Sequence, residues 1–371
     1  MLELLLSDGT GPAYTDPSDK RLARQLEQAA QALRGCTPQV AASWPKLVLS
    51  GGRSGERIGP VLELGLHLPL MEFGDEGQSF ARLSGAVDAA RENGFAAVSA
   101  NDHFLFQTPW LDGTTALAAV IDRAGTMELA TTIANVALRG PVPLAKTLAA
   151  LDVLSDGRVI AGVGPGSSER DYDAVGVPFQ ERWERFDEAV AILRSLLRDE
   201  PPPETRRHYA SPGVPLAPAP SRPGGVPIWI ASWGSAAGLR RVARLGDGWL
   251  ASAYNTTPDG FKAAKQSLSE QLDARGKNPD RFPNALATMW TWITEDARDA
   301  DRVLRDVLAP MLRRDPDSLS DQLCVGPAAH CAELLSRYAD AGCERVYLWP
   351  LGDEPRQVEL AATTVLPAVK S

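Results

Sequence analysis

Residues 142–166 read VPLAKTLAALDVLSDGRVIAGVGPG. Positions 142–153 fit a helix, and Val159–Val163 fits a strand with no polar side chain. A strand without polar alternation is one covered on both faces, as in a parallel sheet under helices. It runs straight into Gly162, Gly164 and Gly166, where backbone amides can approach a ligand closely. Helix, buried strand and glycine exit together make one β/α unit.

The same order recurs on either side. Strands are expected at Leu62–Leu68, Phe95–Ala100, Leu129–Val136, Val159–Val163, Ile228–Ser232, Trp249–Ala253, Leu286–Ile293 and Arg345–Trp349. Helices are expected over 78–93, 114–124, 142–153, 181–198, 235–244, 259–274 and 327–341. In the helix over 181–198, Trp183, Phe186, Val190, Leu193 and Leu197 fall on one face, the mark of an amphipathic helix. Eight strands alternating with helices predict an α/β fold, a (β/α)8 TIM barrel spanning 61–371. A doubly wound open sheet is the rival, because a strand count does not prove closure. Two long insertions interrupt the alternation. Residues 199–227 are too rich in proline for a helix, and 296–326 carry an extra helix and a charged turn. Both are expected near the active-site face, as a lid. Residues 1–60 read as an appendage with one amphipathic helix over 18–34, whose apolar stripe permits a homodimer.

Composition narrows the class. The 371 residues carry 38 Lys+Arg against 47 Asp+Glu, a net charge of −9, which argues against a broad nucleic-acid surface. No apolar run approaches the roughly 18 residues of a membrane span. Met1–Leu6 lacks the basic flank and the length of a signal peptide, so a cytoplasmic location is expected. The four cysteines (Cys36, Cys324, Cys331, Cys343) form no C-x-x-C pair and read as reduced thiols. His67, His208 and His330 have no second ligand at metal spacing, so no metal site is expected.

Four strand exits carry candidate chemistry. At Gly162–Tyr172 (GVGPGSSERDY), glycines and the hydroxyls of Ser167 and Ser168 suit a phosphate, and Ser168 also stands three before Asp171, as in a helix cap. The spacing is neither a dinucleotide fingerprint nor a P-loop. At Ile230–Gly238 (IASWGSAAG), Gly234 and Ser235 precede a helix, as a phosphate site or a plain N-cap. At Ser99–Phe104 (SANDHF), His103 can move a proton near neutral pH with the adjacent Asp102 to orient it; the alternative is a loop cap and a structural histidine. At Thr131–Pro141, small and polar residues leave room for something flat, and Arg139 is read as pairing a surface carboxylate, with an anion as the other option. Trp110 and Trp233 are available to stack on a planar cofactor.

Together these stretches resemble the bacterial luciferase-like family of flavin and deazaflavin oxidoreductases. The resemblance runs from about Leu62 to the C-terminus. It rests on NGF…DHF (93–104), PLAKTLAALDVLSDGR (143–158) leading into GVGPG (162–166), ERW and RFDE (181–188), PIWI (227–230) and GDGW (246–249). It implies a barrel that binds FMN or coenzyme F420 at its C-terminal mouth. The ring would lie against Thr132–Asn135, beside a non-proline cis peptide. The phosphate would sit at Gly164, Gly166, Ser167, Ser168 and Tyr172, with Gly234 and Ser235 closing the other side. His103 would donate or accept the proton. The sugar-phosphate dehydrogenase branch has a carboxylate where this chain has Ser167, so that acid is not carried over. The GVGPGSS and DHF stretches lie closer to the deazaflavin branch, so F420 with hydride transfer to or from a small organic substrate leads. The alternatives are an FMN monooxygenase fed by a separate flavin reductase and a non-catalytic flavin-binding protein. A cofactor-free hydrolase or isomerase is a third class.

Overall fold

A computed structural model of the protein describes residues 62–73, 77–201, 203–204, 207–210, 213 and 215–370. The expected appendage over 1–60 lies outside the described residues. From there the chain lays down β1 (Glu63–His67), β2 (Ala97–Ala100), β3 (Glu128–Thr131), β4 (Ala134–Asn135) and β5 (Val159–Gly164). It continues with β6 (Ile228–Ala231), β7 (Gly248–Ser252), β8 (Asn284–Ile293), β9 (Cys324–Gly326) and β10 (Arg345–Pro350). Pairing runs β10-β1-β2-β3-β5-β6-β7-β8, and β8 pairs back with β10. All these pairs are parallel, so eight strands close a barrel and the open-sheet rival is excluded.

The eight expected strands appear within a few residues of their expected bounds. One differs in kind. The run Leu129–Val136 breaks between β3 and β4, at a cis peptide joining Thr132 to Ile133. The expected helix over 114–124 stops at Ala119, because the Val120 amide bonds only three residues back, to Leu117. The three-residue β9, which pairs the outer half of β8, is too short to leave a periodic signal.

Side-chain volume explains how the barrel fills. Large interior residues, Trp229, Tyr347, Ile160 and Leu250, alternate with Ala97, Ala130, Ala285 and Ala287. Gly65 and Gly248 make this fit: a Cβ on Gly65 would overlap the Tyr347 ring, and one on Gly248 the Trp229 indole. Outside the strands, helices press apolar stripes onto the barrel; the helix Arg182–Arg198 buries Phe186, Val190, Leu193 and Leu197. Polar caps fix where helices begin: Ser79, Asp112, Ser235 and Thr257 each accept a backbone N–H from the first turn. Since every barrel strand points the same way, all eight C-terminal ends open on one face, and that face holds the candidate site.

Candidate active site

Asn101, Asp102 and His103 follow β2 directly. The adjacent pair divides its work. Asp102 turns away from His103 and accepts two bonds from the Arg139 guanidinium, both at 2.6 Å, and one from the Asn135 amide at 3.1 Å. Arg139 also pairs with Asp112. The Asp112 carboxyl is pushed up by burial, but hydrogen bonds from Arg139 and Thr115 outweigh this and set its pKa to about 2. The expectation that Arg139 meets a surface carboxylate is thus corrected for Asp102, which is buried; the bidentate bond pins the chain just beyond the Thr132–Ile133 peptide.

The carboxylate that orients His103 comes from 68 residues away. His103 Nδ1 lies 2.8 Å from Asp171 Oδ2, and Asp171 Oδ1 accepts the amides of Phe104 at 3.1 Å and Leu105 at 2.9 Å. Burial raises the Asp171 pKa, and the His103 bond together with these amides more than reverses that, leaving it below the ordinary value. An ionised carboxylate only accepts, so Nδ1 carries the proton and Nε2 is left for chemistry. Asp171 sits in the short helix Glu169–Ala174, capped by Ser168, whose Oγ accepts the Asp171 amide at 3.3 Å. The sequence reading used Asp171 only as part of that cap. Nothing local to His103 announces it, because only the fold brings the β2 and β5 exits together.

His103 stands on a wall shared by two cavities. The inner one, about 360 Å3, is lined by Thr132, Ile133, Asn135, Gly164, Gly166, Ser167 and Ser235 among others. Its polar edge is unpaired: Thr132 Oγ1, Asn135 Oδ1 and Asn101 Oδ1 are buried without a hydrogen-bond partner among the described residues. Gly166, at φ +73°, lets the loop close over Asn135, since a Cβ there would run into the Asn135 amide. On the far side Ser235 caps the helix Ala236–Leu245, and Gly238, Arg182 and Arg241 complete that wall. A helix N-terminus, serine hydroxyls and two guanidiniums together suit a phosphate. Unpaired amide and hydroxyl oxygens beside apolar Ile133, Leu250 and Ala287 suit a flat heterocycle with N–H and C=O edges.

Three of the expected phosphate residues fall elsewhere. Tyr172 is fully buried; its hydroxyl donates to the Pro165 carbonyl at 2.5 Å, so it braces the loop from behind. Gly234 lines a separate cleft with Asn255 and Gly260. Ser168 lines the outer cavity and caps Glu169–Ala174.

The outer cavity, about 560 Å3, is lined by Met71, Phe106, Trp110, Trp290, Met311 and Trp349 among others, and meets the inner one along Asn101, His103, Ser167, Phe179, Tyr254 and Thr288. Trp110 faces His103 edge-on, with centroids 4.7 Å apart, rather than the inner cavity; Trp233 does line the inner one. Of the two insertions, 296–326 supplies Met311, Leu312 and Arg313 to the outer wall. Among the described residues, 199–227 lines neither cavity; its Tyr209 hydroxyl instead donates to the Ala137 carbonyl at 2.6 Å.

Residues 66–345 match the family model described as luciferase-like monooxygenase. The 5,10-methylenetetrahydromethanopterin reductase of Archaeoglobus fulgidus is 25% identical over 256 residues, 68% of this chain and 73% of that protein. The F420-dependent glucose-6-phosphate dehydrogenase of Mycolicibacterium gilvum is 29% identical over 208 residues, 52% of this chain and 59% of that protein. Among solved structures, an F420-dependent secondary alcohol dehydrogenase with an F420–acetone adduct superposes with a TM-score of 0.72 at 19% identity, over 84% of this chain and 99% of that one. The FMN-bound oxygenating constituent of 3,6-diketocamphane monooxygenase from Pseudomonas putida superposes at 0.66 and 18% identity, over 84% and 99%. At such identities the superpositions establish the shared barrel.

Proposed function

The chain belongs to the luciferase-like monooxygenase family, and on that premise we propose that it is an oxidoreductase moving a hydride between coenzyme F420 and a small organic substrate. The observation that carries this reading is His103: a histidine anchored by Asp171, on the wall between a cleft suited to a flat phosphorylated cofactor and a larger cavity suited to a substrate. The F420 dependence named for the similar Mycolicibacterium dehydrogenase supports the choice of cofactor.

Thr132, Ile133 and Asn135 would hold the ring, and Gly166, Ser167, Ser235 and Arg182 the phosphate. Bound there, the deazaflavin supplies or takes the hydride. The chain's own part is to orient and to move one proton. Asp102 holds the Asn135 amide, which keeps the ring-facing segment in place. Asp171 fixes the His103 tautomer, so Nε2 accepts a proton from an alcohol oxygen or returns it to a carbonyl oxygen. Trp110 and Phe106 pack against the imidazole and cover part of it.

A second reading, an FMN monooxygenase fed with reduced flavin by a separate reductase, is favoured by the aromatic enclosure of the outer cavity. Parallel titration of the full chain with F420 and FMN separates the two. Saturable binding of F420 alone is the expected result. Binding of FMN alone, with oxygen uptake tied to substrate turnover, would replace this reading by the second. Binding of neither would overturn both.

A further inference from the structure

The outer cavity differs from the inner one in what its walls offer. Trp290, in the outer half of β8, and Trp349, near the end of β10, stack with centroids 3.8 Å apart at 19°, and His67 continues the stack on Trp349 at 3.5 Å and 18°. Trp110 meets Trp349 edge-on at 5.7 Å. The three tryptophans all line the cavity, with Phe106, Met71 and Met311 beside them. Aromatic rings prefer to meet other rings offset-stacked or edge-on, so a wall of three indoles favours a flat ring over a flexible polar chain. The ionic groups of this cavity, Glu169, Arg170 and Arg313, are exposed residues at its rim.

We infer that the outer cavity is the site of a flat aromatic ketone or aldehyde, or of the corresponding alcohol, and that Trp110 sets this preference. The inference rests on the proposed hydride transfer. A ring seated against Trp110 brings its carbonyl to the wall that carries His103, whose ring lies 4.7 Å from the indole. In the reductive direction the carbonyl carbon gains a hydride from the reduced deazaflavin. The C=O π pair moves onto oxygen, and His103 Nε2 delivers the proton that completes the hydroxyl. In the oxidative direction the same bonds run backward, with the proton taken up by Nε2 and the hydride by the oxidised cofactor. Volume agrees: about 560 Å3 lies within the usual range of small-molecule sites.

The test is calorimetric titration of the full chain with 2-acetonaphthone, with and without F420, beside a titration with F420 alone. Saturable binding at one site is expected, weakened about tenfold or more by Trp110→Ala and restored by Trp110→Phe, with F420 affinity unchanged in both variants. With reduced F420, the ketone is expected to yield one alcohol per cofactor oxidised. No saturable binding of 2-acetonaphthone while F420 binds would overturn the inference and leave the oxidoreductase reading standing. Binding indifferent to Trp110→Ala, or glucose 6-phosphate bound in preference to the ketone, would overturn it as well. Failure of both F420 and FMN to bind would retire the redox reading and this inference together.

Discussion

At the N-terminal end of the barrel, Arg345 donates to Glu63 at 2.6 Å and to Glu128 at 2.8 Å, and Asn284 Nδ2 donates to Glu344 at 2.9 Å. Arg345, Glu63, Glu128, Asn284 and Glu344 are tied together there across the starts of different strands. At the C-terminal end, Asn101, Thr132 and Asn135 keep buried oxygens that have no partner among the described residues, and Trp110, Trp290 and Trp349 keep buried indole donors of the same kind. Both ends are built from the same parallel strands, so the contrast is not a matter of backbone. One end uses its polar groups to hold strands together. The other withholds them from one another and leaves them for something the chain does not contain. Buried polar groups without partners are costly, and their concentration at one end is the physical sign of a binding site.

The largest effect expected from breaking this contrast is at His103. His103→Ala should lower turnover about 10²–10⁴-fold while cofactor affinity stays nearly constant, the range for losing a general acid–base group. Unchanged steady-state turnover would remove His103 from the mechanism. Next comes its anchor. Asp171→Asn should cost about 10–10³ in turnover, because an amide can hold the imidazole in the wrong tautomer. The Asp171 pKa is depressed in the fold, so its contribution is present above the unfolded value, about 3.9, and is lost as pH falls through the folded value. Activity should therefore show no acid limb from Asp171 above about pH 4; a limb that sits higher and vanishes in Asp171→Asn would contradict the assignment.

Arg345→Met sharpens the other side of the comparison. It should destabilise by about 1–3 kcal/mol in urea unfolding, with turnover per folded molecule unchanged, because its partners lie at the far end from His103. At neutral pH the smallest effect belongs to His67. Its Nδ1 donates to the Leu68 carbonyl at 2.8 Å, and burial lowers its pKa to about 3 despite that opposing hydrogen bond. The unfolded chain takes up this proton near pH 6.5 and the fold refuses it until about pH 3. Stability should thus fall by about 1.4 kcal/mol per pH unit on acidification below about 6. In His67→Phe that one-proton slope should disappear from the pH dependence of the urea midpoint.

The exits of the strands were legible in the sequence, and the side-chain partnerships at those exits were not. Asp102 and His103 are neighbours in the chain and read naturally as a pair. In the fold they belong to separate clusters, Asp102 with Arg139 and Asn135, His103 with Asp171. The family resemblance implies Tyr172 as a phosphate ligand, yet its side chain turns under the loop to Pro165. Met311 and the stacked Trp290 and Trp349 gave no signal as cavity walls, since a lone apolar residue reads as core wherever it occurs.

Strand and helix order, the eight-fold alternation, the glycine exits and the family resemblance follow from local patterns within a few dozen residues. Periodicity and turn chemistry act over that range, so the sequence alone determined the β/α alternation, the strand exits that carry the candidate site and its candidate proton carrier. Closure, through the pairing of β8 with β10, was decided only in three dimensions. So were the Asp171 anchor, the split into two cavities and the aromatic stack. These depend on which strand ends the barrel brings side by side, and residues 68 to several hundred positions apart carry no mark of that in their own neighbourhoods.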